Sequence, residues 1–155
     1  MNIIVCVDKD LGMMFNNRRQ SRDKILIKHI LEFIKNENAK IYINNFSKEL
    51  FLEYLDEYKE QIIVDDNFLE KAFNEEINNS SNSNNQNKNY CFVENNSIKK
   101  YEDKINNLII YDWDKAYPKD KYLDIDLNKF KLYESKDLVG NSHEKIIEKI
   151  YKGWS

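Results

Sequence analysis

Along this chain the apolar positions shift repeatedly between a spacing of two and a spacing of three or four. Asn2–Val7 is a short β-branched run that stops at Asp8, and it reads as a buried first strand. Asp10-Leu11-Gly12 then turns the chain into a polar loop that runs to Ser21. With Ser21 as N-cap, Ile25, Leu26, Ile30, Leu31 and Ile34 fall on one stripe, predicting a helix over about residues 22–35. Asp23 would lie in its first turn, where the partial positive charge of a helix start favours a carboxylate. Residues 39–43 read as a second strand. Ser47 is the expected cap of a helix over 48–58, whose apolar side carries Leu50, Phe51, Tyr54 and Leu55. A third strand is expected at 61–64 and a short helix at 67–76.

Between about residues 77 and 89 the chain becomes Asn/Ser-rich, too polar to bury anything, and is expected to be a disordered surface insertion. Beyond it lie a strand at 90–93, a helix at 97–106 and a strand at 107–113 with Leu108, Ile109 and Ile110 at its centre. Shorter apolar runs follow at 122–125 and 130–134, and residues 143–151 fit a strand or a helix equally well by period. Elements that alternate first and turn strand-rich at the carboxyl end predict an α/β domain. Its central sheet would be mixed but mostly parallel, flanked by about four helices, with an antiparallel carboxyl-terminal edge. A length of 155 residues fits one such domain.

Composition narrows the function classes. A formal net charge of -3 gives no general pull toward nucleic acid, and no apolar run is long enough to span a bilayer. The amino terminus lacks the basic segment of a signal peptide, so a cytoplasmic location is expected. Cys6 and Cys91 each sit inside an apolar run and read as buried thiols. Two histidines, His29 and His143, are too few for a zinc hydrolase, and no metal site is expected.

The basic residues carry the clearest chemical signal. All three arginines, Arg18, Arg19 and Arg22, fall within five residues beside Asp23, and lysine is the cation everywhere else. Guanidinium is the group of choice where a planar fork must grip a carboxylate or phosphate. The segment is therefore expected to bind a small anion, with Ser21 exposing helix-end amides on the same side.

The strand Ile3-Ile4-Val5-Cys6-Val7-Asp8, the following Gly12-Met13-Met14-Phe15-Asn16-Asn17 and the late Asn141-Ser142-His143 resemble corresponding parts of dihydrofolate reductases, and so does the order of elements. The resemblance implies a single dihydrofolate reductase-like domain. It also implies that Asp23 takes the place of the pterin-holding acid, as the candidate catalytic residue. Val5, Cys6 and Met14 would line the pocket, and Tyr111 would stand near the family's late-strand threonine. The stretches Phe15-Asn16-Asn17-Arg18-Arg19-Gln20-Ser21-Arg22-Asp23 and Cys91-Phe92-Val93-Glu94-Asn95 also resemble a small clostridial-type family, some of whose members carry the label ribonuclease Z. The histidine count does not support that chemistry.

The cofactor half departs from the reductase pattern. Where that family has Gly-Arg-x-Thr, this chain reads Asn44-Asn45-Phe46-Ser47, and its Gly-Gly pair is replaced within Glu94-Asn95-Asn96. Arginine and glycines are lost, and a carboxylate stands where a phosphate would go. NADPH in the usual mode is not expected, nor any other cofactor. Two readings stay open. One is a member that has lost reductase activity and binds a small anionic ligand or a protein partner through residues 18–23. The other is an oxidoreductase of pterin or nucleotide chemistry with an altered cofactor site.

Overall fold

Seven strands form one sheet in the order β5-β4-β6-β1-β7-β10-β9, in a computed structural model that describes residues 1–80 and 88–154. The strands are β1 (Asn2–Val7), β4 (Lys40–Ile43), β5 (Ile62–Val64), β6 (Asn89–Val93), β7 (Asn107–Asp112), β9 (Phe130–Leu138) and β10 (Ile146–Gly153). The first five in sheet order run parallel, while β10 is antiparallel to both β7 and β9. The expected α/β architecture with an antiparallel carboxyl-terminal edge is what the chain adopts. Residues 146–153 are strand, because Ile146 and Ile150 pack on one face while Tyr151 reaches the other past an irregularity in the ladder.

Two apolar layers sandwich this sheet. On one face Ile3, Val5 and Val7 of β1 meet Phe68, Leu69 and Ala72 of α3 (Phe68–Ser80). On the other, Ile4 meets Leu26, Ile27, Ile30, Leu31 and Ile34 of α1 (Lys24–Asn36). Alternate residues of a strand face opposite sides, so Cys91 belongs to the α3 layer while Cys6 packs against the α1 layer. Both thiols are free, Cys91 buried and Cys6 half-buried. Burial pushes the Cys91 thiol up to about 12, and burial together with the Glu94 charge raises that of Cys6. Among the described residues no helix is long and apolar enough to cross a membrane.

Several local expectations are corrected. Asp23, not Ser21, is the N-cap of α1: its backbone is extended and its carboxylate accepts from the N–H groups of Ile25 and Leu26. Ile25 is exposed, and Ile27 takes its place in the buried stripe. The helix ends on Asn38 in the left-handed region, with Asn38 N–H donating to the Lys35 carbonyl and Ala39 N–H to that of Ile34. Asn44 rather than Ser47 caps α2 (Asn45–Phe51), and Ser47 lies inside that helix, buried. The expected helix at 97–106 is a 3-10 stretch, Lys99–Lys104. Helix α3 continues to Ser80, four residues past its expected end at 76, so the polar stretch expected from 77 begins as helix. Of the rest of that expected insertion, residues 81–87 lie outside the described residues, and Asn89 at its end already belongs to β6.

The polar loop before α1 is also more ordered than its composition implies. It folds into β2 (Gly12–Phe15) and β3 (Arg18–Arg19), which with β8 (Lys121–Tyr122) make a small antiparallel sheet. Asn16 and Asn17 both occupy the left-handed region, as the tight turn of a two-residue hairpin demands. Gly12 lies close under two side chains: a Cβ there would meet Gln20 Nε2 and Lys119 Cδ at 2.7 Å, and both side chains would have to shift. Buried Asp8 binds this corner together, accepting from Gln20 Nε2 at 3.1 Å, Lys119 Nζ at 3.0 Å and the backbone of Gly12 and Tyr117.

Candidate functional site

Parallel strands that diverge at their carboxyl ends leave a crevice, the usual ligand position in such sheets. Here the ends of the adjacent strands β4 and β6 carry Asn44 and Glu94, and the hairpin β2–β3 delivers Arg19 over them. The Arg19 guanidinium grips Glu94 with two prongs, Nε to Oε2 at 2.9 Å and Nη2 to Oε1 at 3.2 Å. Its Nη1 reaches Glu49 Oε2 at 2.6 Å, Nη2 also donates to the Phe46 carbonyl, and the guanidinium stands 4.5 Å over the Phe46 ring. Both partners of the Arg19–Glu94 pair are nearly out of solvent, at 12% and 8% exposure. Burial works against the Arg19 charge, but Glu94 and Glu49 more than offset it and raise its pKa.

The remaining positions at the strand ends bond to one another. Ser47 Oγ donates to Glu94 Oε1 at 2.8 Å. Asn44 Nδ2 donates to Asn95 and Asn96, both at 2.9 Å, while its Oδ1 accepts the Ser47 N–H. Asn45 N–H goes to Asp66 Oδ1. The positions read from the resemblance as the altered cofactor site are thus neighbours in space, and their polar groups are bound within the chain.

The arginines do not converge on one point. Arg22 is half exposed and shares Glu49 with Arg19, its Nη2 lying 2.6 Å from Glu49 Oε1. Those two salt bridges lower the Glu49 pKa. Arg18 is exposed and has no acidic partner among the described residues. It borders a hollow of about 470 Å³ with Phe15, Arg19, Gln20, Tyr117 and Pro118. A smaller groove of about 190 Å³ opens between the start of α1 and α2, lined by Arg22, Asp23, Lys24, Ile27 and Glu49 among others.

Asp23 is buried and committed to the fold. Besides its own helix start it accepts from the N–H groups of Asn141 and Ser142, at 2.9 and 2.8 Å, and from His143 Nδ1 at 3.0 Å. Burial alone would raise its pKa; the bonds from Asn141, His143, Ser142 and Leu26 hold it down at about 2. His143 in turn stacks on Trp113 at 4.5 Å and meets Ser21 Oγ through Nε2 at 2.8 Å. Tyr111 is not part of this cluster. It is buried against α1 and donates to Glu148 Oε2 at 2.9 Å, beside His29. Burial and Glu148 push its phenol well above the usual value. Val5 and Cys6 face opposite sides of the sheet, so no single pocket takes both, and Met14 is buried in the α3-side core.

Glu49, Glu94 as an arginine partner, His143 as an aspartate partner and buried Asp8 were beyond sequence reasoning, because each finds its partner from a distant element. Among the described residues no cluster of three His, Cys, Asp or Glu side chains is placed to hold a metal ion. No protein-family profile matches the sequence, and no curated protein matches it. The structure is similar to a dihydrofolate reductase from Enterococcus faecalis complexed with NADP(H) and RAB-propyl. The TM-score is 0.56 at 10% identity, over 99% of this chain and 96% of that one. At that identity the likeness concerns the fold: this chain is an α/β protein with a dihydrofolate reductase-like fold along its whole length.

Proposed function

We propose that this protein uses the dihydrofolate reductase-like fold without NADPH-dependent reduction, and binds a small anionic ligand through the segment around Arg18. The observation that carries the reading is the two-pronged Arg19–Glu94 pair, with Ser47 on the same carboxylate, across the ends of β4 and β6. A dinucleotide phosphate entering there would have to separate a buried ion pair and then face Glu94. Breaking such a pair costs on the order of 3–5 kcal/mol. Arg18 is the arginine whose fork no acid of the described chain engages, and the hollow beside it is large enough for a small metabolite.

The alternative, an oxidoreductase of pterin or nucleotide chemistry, draws its support from an acid at the start of α1. Both oxygens of Asp23 already serve the helix cap, the 141–142 backbone and His143, which favours the first reading. Calorimetric titration with NADPH should give no saturable heat. Low-micromolar NADPH binding, or steady-state reduction of dihydrofolate, would sink the proposal. Thermal-shift screening with orthophosphate, citrate and nucleoside monophosphates should yield a stabilising anion whose effect Arg18→Ala removes. An unaltered shift in that variant would exclude Arg18.

A further inference from the structure

Three side chains, two from the segment leading into α1 and one from the turn before β10, form a connected relay. Asp23 Oδ2 lies 3.0 Å from His143 Nδ1, and His143 Nε2 lies 2.8 Å from Ser21 Oγ. A carboxylate held near pKa 2 is acceptor-only at neutral pH, so the proton sits on Nδ1. For a neutral imidazole that leaves the Nε2 lone pair to accept the Ser21 hydroxyl proton. Trp113 stacked on the ring and the two backbone bonds to Asp23 fix the orientation of both groups. Ser21 is half-buried, while His143 and Asp23 are buried behind it. The order of atoms, carboxylate to Nδ1 and Nε2 to hydroxyl, is that of a serine nucleophile with its base and orienting acid.

We propose that Ser21, His143 and Asp23 form an acyl-transfer centre that hydrolyses small carboxylic esters. Ser21 Oγ bonds to the ester carbonyl carbon as its proton passes to Nε2. The tetrahedral oxyanion collapses, the bond to the alcohol oxygen breaks, and the alcohol leaves with the proton from Nε2. Water then attacks the acyl carbon and gives a proton to Nε2, and Ser21 departs from the acid and recovers that proton. Ester and water become acid and alcohol, and the histidine ends neutral. The backbone N–H of Arg22, directly after the nucleophile, has no acceptor among the described residues. That position supplies an oxyanion donor in other serine hydrolases. A groove of about 190 Å³ starts at Arg22, the residue next to Ser21. The inference is independent of the anion-binding reading, and the outcome of NADPH or anion titrations does not bear on it.

The test is covalent capture with a small alkyl fluorophosphonate. The intact chain should gain the mass of one phosphonyl group, peptide mapping should place it on Ser21, and Ser21→Ala should gain none. His143→Gln should slow the reaction by about 100-fold or more, the usual contribution of a general base. Because His143 is buried and its replacement endangers folding, the wild-type chain supplies a second readout. Its labelling rate should fall on acidification, because the base that takes the Ser21 proton must be unprotonated. A structural clasp with the same distances would give neither an adduct nor that profile. No adduct on Ser21 of the folded chain, or a labelling rate indifferent to pH, overturns the proposal.

Discussion

Ser21 and Asp23 are both competent helix caps two residues apart, and local sequence does not choose between them. The choice is made by residues 118 and more positions away, where Asn141 and Ser142 present their N–H groups to Asp23. The acid responds to pH accordingly. Its folded pKa of about 2 lies below the ordinary value near 4, so between those limits the unfolded chain binds a proton that the folded chain does not. Stability from Asp23 is complete above about pH 4 and is lost as pH falls through about 2. Asp23→Asn should cost roughly 2 kcal/mol at neutral pH, with the gap to wild type narrowing on acidification in urea unfolding. Arg19 shows the same limit of local reading. Its identity as arginine marked it as a gripping residue, but the carboxylates it grips lie on α2 and at the end of β6. Arg19→Met should destabilise by about 3 kcal/mol, and combining it with Glu94→Leu should restore most of that. Melting curves that place the double variant below the single would reject this account.

Hydrophobic spacing located α1, β1, β4, β6 and β7 to within a residue or two, because each buries a continuous apolar face. It failed where backbone geometry or distant polar partners decide. The Asn16-Asn17 pair was the hairpin signal in the segment taken as loop, and it went unread because the flanking strands are too short to show a period. Since that hairpin positions Arg19, its turn controls the crevice. Asn17→Gly should be tolerated or slightly stabilising, whereas Asn17→Val should cost about 1–2 kcal/mol for a β-branched residue in the left-handed region. Calorimetric melting of the two variants separates these outcomes. The turn before β10 is equally constrained: a Cβ on Gly140 would come within 2.4 Å of Asp23 Oδ2. Gly140→Ala should therefore destabilise by about 1–3 kcal/mol, and less in an Asp23→Ala background.

At the scale of the whole molecule, the strand-helix alternation anticipated an α/β sheet with an antiparallel edge, and the resemblance in element order and in short stretches such as residues 3–8 implied a dihydrofolate reductase-like fold, which the structural likeness bears out. The chemistry carried on that fold was less legible. Asn44, Ser47, Glu94, Asn95 and Asn96 do gather at adjacent strand ends, but their bonding to one another depends on side-chain reach across strands. One property of the sheet has a practical use. Cys91 lies on β6, between β1 and β4, with its thiol buried and pushed up to about 12. A disulfide reagent needs the thiolate, which this cysteine does not offer until the strands on either side of it part. Cys91 is thus a stopwatch sealed inside the sheet. Its modification rate should rise with reagent concentration and then plateau at the rate of global opening, and Cys6, whose thiol burial also raises, should likewise react slowly in the folded chain. Quenched samples digested and weighed at each time point would follow both cysteines separately, and rapid modification of Cys91 under native conditions would mean that the centre of the sheet breathes without unfolding.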